Sequence, residues 1–75
     1  MTLNEINRGE ACVMTDLTVD GALGQRLMDM GFFPGAAIKV VRNAPLVDPV
    51  EIELEGTFIT IRHDEAAHIA VKKNG

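Results

Sequence analysis

The densest group of chemically capable side chains is His63-Asp64-Glu65-Ala66-Ala67-His68. Imidazole and carboxylate are ligands that a divalent cation accepts, so Glu65, His68 and His63 are the metal candidates of the chain. Their spacing argues against a strong site. Two histidines share one helical face when they are four apart; these are five apart and diverge by about 140° around a helix axis. Glu65 and His68, three apart, resemble half of a carboxylate-bridged di-iron site, which needs a second such pair and two further glutamates from a helix bundle. The chain supplies one pair and no bundle. The run reads as a solvated turn, with weak surface binding of a divalent ion as the alternative.

Other reactive patterns are sparse. Glu51, Glu53 and Glu55 alternate along one strand face, but carboxylates two residues apart on a strand sit about 7 Å from each other, too far to chelate one ion as neighbours. A solubilising face or edge protection is the simpler reading. Cys12 is the single cysteine, with no cationic neighbour to activate it, and reads as a small core hydrophobe. No phosphate loop, nucleophile elbow or Cys-x-x-Cys occurs. These residues give no basis for an enzyme and call for no cofactor.

The scaffold is small. Seventy-five residues make one domain with a thin core and little room for a deep cleft. Hydrophobic residues are 47% of the chain, ample for folding. Eleven acidic against seven basic residues leave a net charge of -4, which disfavours nucleic acid as a partner. No leader and no apolar run near the ~20 residues of a membrane span is visible, so a cytoplasmic protein without membrane insertion is expected.

The pattern predicts five short strands and one helix. Ala11–Asp16 forms the first strand, with Ala11 and Val13 on one face and Cys12 and Met14 on the other; Val13 is expected in the core, and Cys12 fits either side. Asp20 is the expected N-cap of a helix over 21–30, buried through Leu23, Leu27 and Met30. Gly31 ends it and Pro34-Gly35 turns the chain into a second strand, 37–42. Residues 50–55 and 58–62 form a hairpin around Gly56-Thr57, 63–67 a single helical turn, and 68–72 the last strand. Together these predict a mainly β fold: a small five-stranded, strongly bent antiparallel barrel with one short helix after the first strand, its closure or near-closure hiding the edges.

A core this thin cannot take every apolar side chain. Phe32 is expected to fold under the helix. Phe33, Leu46, Val47 and Met28, from loops and a helix flank, are left as contact candidates, with Arg26 and Arg42 as a charged rim. Such a surplus commonly marks a partner surface, and weak self-association through the same loops is a further possibility.

Leu3-x-x-Ile6-x-x-Gly9, Arg26-Leu27, Met30-Gly31-Phe32-x-Pro34-Gly35, Ala44-Pro45-Leu46-x-Asp48-Pro49-Val50 and Ile61-Arg62-x-x-Glu65-Ala66-x-x-Ile69-x-Val71 together resemble the FeoA family of ferrous iron transport accessory proteins, over nearly the whole chain. The resemblance implies a Src-homology-3-like barrel in the bacterial cytoplasm, associated with FeoB, a membrane Fe(II) transporter with a cytosolic GTPase domain. The same barrel occurs at the C-terminus of iron-dependent repressors. No catalytic or metal residue carries over. Val47 departs from the pattern, standing where the family often has glycine; a β-branched residue resists positive φ, so this loop is expected to turn differently or to shift Leu46. The function expected is a non-enzymatic adaptor that binds FeoB and modulates Fe(II) uptake, with a metal-responsive module using Glu65, His68 and His63 as the alternative.

Overall fold

A computed structural model describes residues 1–74. Its strands are β1 (Ala11–Leu17), β2 (Ala37–Arg42), β3 (Val50–Leu54), β4 (Thr57–Ile61) and β5 (Ile69–Lys73), with helices α1 (Gly21–Asp29) and α2 (His63–Ala66) and a 3₁₀ turn at Leu3–Glu5. The strands form one antiparallel sheet in the order β4-β3-β2-β1-β5. This is the mainly β, five-stranded Src-homology-3-like fold with a helix after the first strand. Among the described residues the sheet does not close by hydrogen bonding: α2 carries the chain from β4 at one margin to β5 at the other.

Alternation selects the buried face. Ile38 and Val40 of β2, Val50, Ile52 and Leu54 of β3, and Ile69 and Val71 of β5 are all buried. In β1 the core face is the opposite of the one expected: Cys12 and Met14 are buried and Val13 is only half-buried. The cross-strand neighbours decide it. On one face Cys12 lies between buried Ile38 and exposed Lys73 and Met14 lies opposite buried Val71, whereas Val13 lies between Ala37 and Lys72, both exposed. Burial with Glu10 nearby raises the Cys12 thiol above its ordinary pKa, consistent with an inert core residue.

α1 ends as its sequence dictates. Gly31 takes φ 106, its N–H donates to the Met28 carbonyl (2.9 Å), and the Phe32 N–H donates to the Leu27 carbonyl (3.1 Å). These two bonds are a Schellman motif, and its usual hydrophobic pair is here Leu27 with Phe32, both fully buried. Leu23 and Met30 are only half-buried and pack at the margin of the core. Asp20 occupies the N-cap position but makes no side-chain cap hydrogen bond. Gly24, a mere propensity cost by composition, is buried because α1 lies tight on the preceding segment.

At the start of the chain, the Glu5 carboxylate accepts hydrogen bonds from the Thr2 N–H and hydroxyl, each 2.8 Å, and Glu10 accepts from the Asn7 N–H (3.0 Å). These bonds, first the backbone donors and then the Thr2 hydroxyl and Lys73, hold both carboxyls below their ordinary pKa of 4.5. Depressed carboxyls contribute stability above pH 4.5 that is lost as pH falls through their native values. Thermal unfolding should therefore lose stability in that acid window, and Glu5→Gln with Glu10→Gln should reduce the loss; an unchanged slope would contradict it. A second expectation concerns Gly24: an added Cβ would stand 2.6 Å from the Val19 carbonyl oxygen. Gly24→Ala should destabilise by about 1–3 kcal/mol in urea unfolding, although alanine is the better helix former.

Candidate functional site

α2 is one turn long, and it organises the polar side of the molecule. Glu65 is buried, and its carboxylate accepts the Arg62 backbone N–H (2.9 Å), the N3 half of a capping box, together with the Arg26 guanidinium. The Arg26 side chain is 61% exposed and that of Glu65 only 7%. The ion pair therefore ties α1 to α2 from a largely wet guanidinium onto a dry carboxylate.

His63 anchors the loop between β2 and β3. Its Nε2 lies 3.0 Å from both the Ala44 and Val47 carbonyl oxygens. Two acceptors require that nitrogen to carry the proton, which assigns the Nε2–H form. The His63 backbone N–H donates to Asp48 (2.7 Å), and the Asn43 side-chain amide donates to the Asn4 and Ile6 carbonyls (3.0 and 2.8 Å). Leu46, at the tip, is fully exposed at φ 62, and Val47 beside it keeps negative φ. The left-handed residue of this loop is Leu46, so Val47 carries no positive-φ strain.

The metal candidates do not converge. Glu65 faces Arg26, His63 faces backbone carbonyls, and the His68 carbonyl receives the Thr18 N–H and hydroxyl. Among the described residues, no group of three histidine, cysteine or acidic side chains is placed to hold a metal. The glutamate row is also structural. β3 lies between β2 and β4, so the row protects no edge; Glu51 pairs with Arg42 (3.3 Å), and Glu55 accepts the Ala37 N–H (2.9 Å).

The contact candidates are exposed but not contiguous. Phe33 is 54% exposed and Met28 lies at the surface of α1, both ahead of β2. Leu46 and Val47 follow β2, so five strand rises, roughly 16 Å, separate the two pairs along the sheet. Arg26 and Arg42, expected as a charged rim, are paired to Glu65 and Glu51. Sequence reasoning passed over Phe58, 72% exposed on β4 beside exposed Val41, where both line a shallow groove with Glu51, Ile52, Ile59 and Thr60. The signal was available, since Ile59 and Ile61 alternate with it.

The family model of the FeoA domain matches residues 1–73. The chain belongs to the FeoA family. It is 35% identical over 96% of its length to a Porphyromonas gingivalis protein named Fe(2+) transport protein A/Fe(2+) transporter FeoB fusion protein, of whose length it spans 8%. The solution structure of a FeoA protein from Chlorobium tepidum is 39% identical and superposes with a TM-score of 0.88, covering all of this chain and 71% of that one. A FeoA from Stenotrophomonas maltophilia, described as a procaryotic SH3 domain protein complexed with zinc, is 28% identical at a TM-score of 0.80, over 96% of this chain and 89% of that one. The family is associated with ferrous iron transport, and this member is a small accessory-type domain. No helix among the described residues is long and apolar enough to cross a membrane.

His63→Ala should free the loop without unfolding the domain. Exchange of the Val47 amide, which donates to the Ala44 carbonyl, is expected to speed up by at least tenfold, with a global loss of only about 1 kcal/mol. Unchanged loop exchange, read by NMR, would show that His63 is not the anchor.

Proposed function

We propose that this FeoA-family protein is a non-enzymatic adaptor that binds the cytosolic part of a FeoB-type Fe(II) transporter and modulates uptake. The observation that carries the reading is the Porphyromonas gingivalis relative, whose name joins both functions in one polypeptide and whose matched segment covers 96% of this chain. Fusion holds two partners at high effective concentration, an arrangement that suits domains acting on each other. The surface supports it: exposed Phe33 and Met28 at one end of β2, and Leu46 and Val47 at the other, are apolar side chains that a partner would cover. The two ends offer two-point docking, with Arg26 and Arg42 as rim charges that tune association rate more than affinity. An acidic chain acting in the bacterial cytoplasm, without nucleic acid or membrane insertion, fits the same role.

Titration of purified protein against the cytosolic part of FeoB, with and without guanine nucleotide, tests the proposal. Binding is expected for the wild type and should weaken at least tenfold in Leu46→Asp or Phe33→Asp, which alter exposed positions and leave the core intact. Absence of wild-type binding in every nucleotide state would overturn it.

A further inference from the structure

The two margins of the sheet are finished differently. Along β5 the Val71 N–H donates to the Met1 carbonyl (2.9 Å), Thr2 bridges Ala70, and Lys72 and Lys73 add charge. That edge is covered and blunted. β4 reads Thr57-Phe58-Ile59-Thr60-Ile61, without a charge, a proline or a bulge, and among the described residues no strand pairs with its outer side.

The hairpin fixes which backbone groups face outward. Glu55 and Gly56 have φ 47 and 86, the left-handed pair of a type I′ turn, which makes Leu54 and Thr57 a hydrogen-bonded pair. Alternation then turns the N–H and C=O of Thr57, Ile59 and Ile61 toward β3, and those of Phe58 and Thr60 away from it. The Glu55 N–H bond to the Ala37 carbonyl (2.9 Å) sets the same phase independently from the β2 side.

We infer that the β4 edge is a self-association site, where a second copy of the chain pairs antiparallel about a two-fold axis through Ile59. In that register Phe58 faces Thr60 of the second copy, and Thr60 faces its Phe58. All four outward N–H and C=O pairs are matched, with no donor left over. The exposed Phe58 rings lie diagonally adjacent, about 7–8 Å apart at the backbone, and cover each other. Charge selects a second copy rather than an unrelated strand. β4 itself is neutral, so no like charges oppose. Two residues beyond the paired core, Arg62 falls opposite Gly56 of the second copy, beside exposed Glu55; the Arg62 side chain is 71% exposed and its ion pair to Asp48 is long at 3.9 Å. One edge strand per copy buries less than the ~800 Å² per partner of a standard interface, so the dimer is reversible and forms at high protein concentration.

Sedimentation from about 10 µM to 1 mM should show the mass rising from 8.1 kDa toward twice that value. Thr60→Pro removes an outward N–H without touching the β3 ladder, and Thr60→Lys keeps the backbone but adds an edge charge; each should weaken the dimer at least tenfold while circular dichroism stays native. Ile59→Cys should oxidise to a covalent dimer across the axis, while Phe33→Cys and Leu46→Cys, elsewhere on the surface, stay monomeric under the same conditions. Buried Cys12 serves as the internal control. A wild type that stays monomeric at 1 mM overturns the inference. So does a dimer that tolerates both Thr60 variants, or Phe58 and Thr60 amide shifts produced only by an added extended peptide.

Discussion

Leu27 and Phe32 meet across the end of α1, where the Phe32 amide donates back to the Leu27 carbonyl and both side chains leave water entirely. A 75-residue chain has few large groups to build a core, and Phe32 is the largest it buries fully. Burying such a side chain contributes on the order of 2–3 kcal/mol, a sizeable part of the stability of so small a domain. The bond that places Phe32 needs Gly31 at positive φ, and it leaves the next residue no choice of side. Phe33 faces solvent, and the turn from its carbonyl to the Ala36 N–H (2.9 Å) delivers the chain to β2. Gly35 and Ala36 are then fastened to Met14 on β1 by a 2.7 Å and a 3.0 Å hydrogen bond. Helix end, strand start and the exposure of Phe33 follow from one local geometry.

The opposite side of the molecule is held by polar groups instead. α2 is too short to be stable alone, since helix nucleation is costly and one turn gains few bonds. Glu65 and His63 compensate by bonding outward, to α1 and to the 43–49 loop. The residue types that make this run look like a metal site are used as a clasp. Carboxylate and imidazole serve either purpose, and the direction in which they point decides between them.

What the sequence made legible was local. The Gly31 stop, the division of Phe32 from Phe33, and the inward set Val50, Ile52 and Leu54 each depend on residues within one or two turns. What it hid depends on pairing across the chain. Val13 is the better strand residue, yet Cys12 takes the core because it lies opposite buried Ile38, whereas both neighbours of Val13 across the sheet are exposed. Glu65 looks like a ligand until Arg26, 39 residues away, is placed beside it. The glutamate row looks like edge protection until the strand order puts β3 inside the sheet. Motif order over the whole chain supplied the family and its fold, which no single periodicity could.

Strand order also separates the apolar surface into places with different physics. Phe33 and Leu46 sit on loops, where a partner meets side chains alone. Phe58 sits on a free strand, where a partner meets backbone as well. The two kinds of contact are compatible. Drawing Arg62 toward the Glu55 of a second copy takes it from Asp48, but that interaction is already long at 3.9 Å. Asp48 stays fastened by the His63 N–H at 2.7 Å, and Ala44 and Val47 by the imidazole. The loop therefore keeps its shape whether or not β4 is occupied, and Leu46 remains presented in both states. Self-association at the edge leaves the loops free for the transporter contact proposed above, because the two surfaces share no residue.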